Sequence, residues 1–76
     1  MASYNGHRSW NAWNVSLWIN NDEGLYSLAK ECKRTARTIG RAARMMKDSL
    51  AEMGVTRTPD GAVYNDTCIR EAMRDL

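Results

Sequence analysis

LYSLAKECKRTARTIGRAARMMKDSLAEM, residues 25–53, decides how this chain folds. Its apolar positions are Leu25, Leu28, Cys32, Ala36, Ile39, Ala43, Met46, Leu50 and Met53, in steps of three and four. That spacing marks one face of a helix, and it runs through without a slip. A single helix of about 30 residues would be about 45 Å long, too long for a small domain. Thr35, Thr38 and Gly40 all lower helix propensity. The reading is therefore a break near Thr35–Thr38, with one helix before it over about 22–35 and another after it over about 38–53. A continuous helix, exposed along part of its length or paired in a dimer, is the alternative.

The same stretch carries the chain's charge asymmetry. Lys30, Lys33, Arg34, Arg37, Arg41, Arg44 and Lys47 are seven of its eleven basic residues, and Glu31 is the only acid among them. The segment is strongly positive while the whole chain is only +2, so the rest is net acidic. Separation of this kind creates a directional field that selects acidic partners. Lys30, Arg34, Arg37, Arg41 and Arg44 are spaced by four, three, four and three. They form one ridge if the helix continues and a cluster around the connection if it breaks. A solvated helix face is the plain explanation of a charge run, but acids at i, i+4 are nearly missing here. The arginines favour bidentate contact with phosphate or carboxylate.

Working outward, Gly54 is a helix terminator suited to a left-handed backbone. Thr58-Pro59-Asp60-Gly61 is a turn. A last helix over about 65–76 presents Ile69, Ala72, Met73 and Leu76 on one face. Toward the N-terminus, Asn20-Asn21-Asp22-Glu23 is a helix restart, with a capping asparagine and two acids at the positive end of the dipole. Before it, a helix over about 10–20 starts at an N-cap Ser9. It has Trp10, Trp13 and Leu17 on one face and Val15 and Ile19 nearly opposite. A helix apolar on two sides packs against more than one neighbour. Residues 1–9 form an irregular lead-in with a turn at Asn5-Gly6. No alternating strand pattern occurs, so the fold class is all-α, a small three- to four-helix bundle. At 76 residues one domain is the limit, and its core supplies roughly 3–5 kcal/mol of net stability.

The tryptophans are expected to fill the core with their indole N–H groups bonded. Trp18, offset from the Trp10–Leu17 face, is the candidate partner anchor, since tryptophan is enriched among residues that dominate interface energy. Asn11 and Asn14 are poor formers of a helix interior. They are read as a hydrogen-bond network tying this helix to the lead-in or to the Pro59 turn. Cys32 and Cys68 lie on apolar faces without a metal-binding pattern around them, and buried free thiols are expected.

Two blocks carry a resemblance. Tyr4-Asn5-Gly6, Trp10 and Trp13-Asn14-Val15-Ser16-Leu17-Trp18-Ile19-Asn20-Asn21-Asp22-Glu23-Gly24-Leu25-Tyr26 form the first. Thr58-Pro59-Asp60-Gly61-Ala62-Val63-Tyr64 forms the second. Together they resemble a family of short, uncharacterised proteins of bacteriophages and prophages, and the resemblance covers about half the chain. The chain departs from that family in its strongly basic middle. The resemblance implies a phage setting and no particular reaction.

No catalytic set is legible. His7 is the only histidine and lacks a partner base or acid. Asp22 and Glu23 are explained by dipole capping, and no nucleotide-binding or nucleophile motif occurs. A non-catalytic protein without metal or cofactor is expected. No segment suits a membrane span or a signal peptide, so the expected location is the host bacterial cytoplasm. The first functional expectation is an inhibitor of a host defence complex, of the anti-CRISPR kind. It would bind stoichiometrically through Lys30, Lys33, Arg34, Arg37, Arg41, Arg44 and Lys47, with Trp18 as anchor. Its partner would be a host protein or ribonucleoprotein complex with an acidic surface. The second is a nucleic-acid-binding protein using the same basic cluster on phosphates, although a pI near 8.7 is modest for such a domain. The third is a dimeric phage protein paired along Ile39–Met53.

Overall fold

The structure, a computed structural model, describes residues 9–74 and Leu76. The expected turn at Asn5-Gly6, and His7 with it, lie outside the described residues. Four helices follow in order: α1 Trp10–Asn21, α2 Glu23–Thr35, α3 Ile39–Glu52 and α4 Asp66–Met73. Among the described residues the only extended pairing is an isolated bridge between Arg57 and Val63. The molecule is a small all-α bundle in which α1 packs on α2 and α4, and α3 packs on the same two helices.

Each boundary has a local chemical cause. Ser9 Oγ accepts from Ala12 N at 3.1 Å and starts α1. The restart lies where the sequence places it, but Asp22 performs the capping rather than an asparagine. Its backbone N–H closes α1 on Trp18 O, and its side chain opens α2 by accepting from Leu25 N. Asn20 and Asn21 belong to α1 and donate back to the carbonyls of Ser16 and Leu17. A side-chain amide can satisfy backbone groups at either end of a helix, so an Asn-Asn-Asp run does not by itself say which residue caps.

The break expected at Thr35–Thr38 is present. Thr35 Oγ1 donates to Glu31 O at 2.8 Å, and Ala36 leaves the helix with φ −82° and ψ 149°. Thr38, extended at φ −128° and ψ 157°, then caps α3 by accepting from Arg41 N. Both threonines trade helix continuity for a local side-chain bond. At the far end of α3, Gly54 N–H reaches Ala51 O and Val55 N–H reaches Leu50 O. This pairing needs a left-handed residue between them, and Gly54 supplies φ +78°.

The core overturns the aromatic expectation. The fully buried face of α1 is Ala12, Val15 and Ile19. Trp10 is 40% exposed, Leu17 is 38% exposed, and Trp13 and Trp18 are half-buried. Asp22 alone separates α1 from α2, so the helices meet at close range. Fully buried alanines at 12, 29, 42, 43 and 72 lie on all four helices, and indoles in their places would hold the axes apart. Met46, Leu50, Ile69 and Met73 fill the centre. The apolar phase of α3 stops contributing after Leu50, because Met53 is 63% exposed. Ala43, Met46 and Leu50 are buried in the chain's own core, while Ile39 is half-buried at the start of α3. Cys32 and Cys68 are buried free thiols, as expected, and burial pushes the Cys32 thiol upward with help from neighbouring Glu31.

The expected asparagine network fastens α1 to the loop before α4. Asn11 exchanges bonds with Val63 in both directions, at 2.9 and 2.8 Å. Asn14, buried, accepts from Thr58 Oγ1 at 2.6 Å, and Thr58 Oγ1 in turn accepts from Ala62 N. Asn14 Nδ2 donates to Asp60 Oδ2 at 2.9 Å. An Asn14→Ala chain strands the buried Thr58 hydroxyl. It is expected to lose about 2 kcal/mol and to melt about 10 °C lower. Thermal unfolding checks this, and adding Thr58→Val is expected to restore none of the loss, because it also takes away the acceptor of the buried Ala62 N–H.

Candidate partner-binding face

The chain's cations gather at the corner where α2 ends and α3 begins, but the fold uses them unequally. Lys33 is not free. Its Nζ donates to Met73 O at 2.8 Å and to Leu76 O at 2.6 Å, tying the end of α4 to α2. Lys30 places its ammonium 5.2 Å from the centroid of the Tyr26 ring. Arg34 pairs with Glu31 one turn earlier, and both are well exposed. Arg44 and Lys47 approach the Asp66 carboxylate at 3.7 and 3.9 Å. Exposed pairs of this kind contribute about 0–1 kcal/mol and yield readily to a better anion. Arg37 and Arg41 are exposed and meet no acid among the described residues.

Two clefts share Arg41 and Arg44. One, about 500 Å³, is lined by Thr35, Ala36, Arg37, Arg41, Arg44, Met45 and Asp48. The other, about 460 Å³, lies between the start of α3 and α4 and is lined by Thr38, Gly40, Arg41, Arg44, Asp66 and Arg70. Arg70 is the residue sequence reasoning missed. It stands 23 positions beyond Lys47, in a segment whose other cations, Arg57 and Arg74, are scattered, and the packing of α4 on α3 brings it to the cluster.

Trp18 is elsewhere. It lines a mainly apolar groove with Leu25, Leu28, Leu50, Met53 and Tyr64, formed where α2 begins and α3 ends. From Arg41 to Met53 along α3 is about 18 Å at helical rise, so indole and arginine corner occupy separate surfaces. The Trp18 indole N–H donates to Asp60 Oδ2 at 2.9 Å, the oxygen that also accepts from Asn14. These two bonds, Asn14's first, hold the Asp60 carboxyl below its ordinary range. A carboxyl lowered in the fold stabilises fully above its unfolded value and loses that contribution as pH falls through the folded one. Tryptophan emission is therefore expected to be flat above the ordinary carboxylate range and to change in a step below it. Asp60→Asn is expected to erase that step, which an acid titration of both chains would reveal.

A family model described as "Family of unknown function (DUF7249)" matches residues 1–76. The chain belongs to this family. No curated protein and no solved structure matches it. The DUF7249 description names no reaction and no ligand, so the function of this member is argued from its own surface. Among the described residues no three His, Cys, Asp or Glu side chains gather to hold a metal ion. No helix among them is long and apolar enough to cross a membrane.

Proposed function

We propose that this DUF7249 chain is a phage-encoded, non-catalytic interaction protein that inhibits a host defence complex, of the anti-CRISPR kind, by stoichiometric binding. Arg37, Arg41 and Arg44 at the α2–α3 corner grip the partner, with Arg34 and Lys30 at the margin. The partner is a host protein or ribonucleoprotein complex with an acidic surface, met in the bacterial cytoplasm. One observation carries the reading. Arg37 and Arg41 project from the corner without an acid among the described residues, and an uncompensated guanidinium pair is a standing attraction for an outside anion. The phage setting is supported by the likeness of residues 13–26 and 58–64 to phage and prophage proteins. Lys33 is withdrawn from the binding set because it caps α4, and Trp18 because it lies on the other surface.

Affinity purification from infected or prophage-bearing cells tests the proposal. The expected result is co-elution of a defence-complex subunit in stoichiometric amount, with loss of that complex's activity when the chain is expressed. Recovery of no such subunit would sink it.

A further inference from the structure

The cleft between the start of α3 and α4 has a more specific chemistry than the corner as a whole. Three guanidiniums border it, Arg41 and Arg44 from α3 and Arg70 from α4. One carboxylate, Asp66, shares the wall and is engaged by Arg44 at 3.7 Å and Lys47 at 3.9 Å. Arg41 and Arg70 meet no acid among the described residues, so the cleft keeps an excess of positive charge. Each guanidinium offers a planar fork of donors. A carboxylate and a phosphodiester each present two charged oxygens that can accept from forks on two helices, but a nucleic-acid strand repeats that charge at every step of a flexible backbone, which suits adjoining cationic clefts. The floor adds to this. Gly40 lines the cleft in the first turn of α3, where a backbone amide has no acceptor within the helix. Nothing stands within 4 Å of where a Cβ on Gly40 would lie, so the approach to its backbone is open. The adjoining cleft shares Arg41 and Arg44 and extends the cationic surface to Arg37, a track that a flexible strand can follow from one side of α3 to the other.

We infer that the Arg41–Arg44–Arg70 cleft is a seat for a backbone phosphate of single-stranded nucleic acid. This deepens the proposed function and rests on it, because the nucleic acid is then the anionic part of the nucleoprotein complex that the chain blocks. Arg70 and Arg37 separate the two ideas: Arg70 borders this cleft only, and Arg37 borders the other only.

The test is fluorescence anisotropy of the full chain with labelled oligouridylate and, in parallel, oligothymidylate across a salt series. The wild-type chain is expected to bind at low salt and to release steeply as salt rises. Arg70→Ala is expected to weaken binding about tenfold and to reduce the salt slope by about one. Arg70 is exposed, so circular dichroism is expected to show an unchanged fold, and Arg41→Gln provides a second lesion in the same cleft. The preferred oligonucleotide tells RNA from DNA. If Arg37→Ala weakens binding while Arg70→Ala and Arg41→Gln match wild type, the seat is overturned and the wider arginine surface stands. If wild type binds neither oligonucleotide at low salt, the seat is overturned, and a co-purified protein subunit would then identify an acidic protein surface as the target. If all three variants bind as wild type does, the seat is likewise overturned.

Discussion

An Ile69→Ala chain is expected to lose most of its folded population at room temperature. Ile69 is fully buried on α4, in the layer where α4 meets α1 and α3. Removing a buried isoleucine down to alanine costs about 2–5 kcal/mol, the higher values where the surroundings do not collapse into the space. The core it belongs to is rich in short side chains, Ala12, Ala43 and Ala72 among them, which have little reach with which to fill a space. The whole domain has only roughly 3–5 kcal/mol to lose. Urea denaturation followed by circular dichroism measures the effect. Met53→Ala is the matched control, because Met53 shares the apolar phase of α3 in the sequence yet is 63% exposed. Its loss is expected to stay within about 0.5 kcal/mol. Equal losses for the two substitutions would mean that the packing is not as described.

The second large effect is on binding. Reversing charge at Arg37, Arg41 and Arg44 together is expected to abolish association with the captured partner while leaving the helices intact. Each reversal replaces an attraction by a repulsion and is expected to cost about tenfold or more in affinity, so about a thousandfold for the three. Stability is largely spared, since Arg37 and Arg41 have no described partner and the Arg44–Asp66 pair is exposed on both sides. Titration calorimetry against the purified subunit gives the affinity, and a thermal melt checks the fold. Full inhibition by the triple variant in cells would end the proposal. Lys33 is deliberately outside this set. Removing it would free Met73 O and Leu76 O from their shared donor and confuse a structural loss with a binding loss.

The backbone plan was legible because its punctuation is chemical. Thr35, Thr38, Gly54 and the Pro59-Asp60-Gly61 turn each act through a local bond or dihedral that does not depend on the rest of the chain. The asparagines at 11 and 14 were legible for a related reason: a poor helix former in mid-helix needs a partner elsewhere. The tryptophan assignment was not legible. Hydrophobicity ranks indoles above alanine, but the distance between helix axes decides which face turns inward, and a one-residue connection at Asp22 selects the small face. The site was half legible. The arginine ridge is a local pattern, so the sequence displays it. Lys33's capping of α4 and Arg70's arrival beside Arg41 are contacts between residues far apart in the chain. No spacing rule encodes them, and they remove one residue from the cluster and add another.

The two shielded thiols give the bundle a pair of built-in clocks. Cys32 belongs to α2 and Cys68 to α4, and a sulfur so enclosed reacts with an alkylating reagent only while its helix is displaced. Labelling kinetics at the two sites thus time the opening of each helix separately. Equal rates would mark the molecule as one cooperative unit, and a faster Cys68 would show that α4 lifts away first.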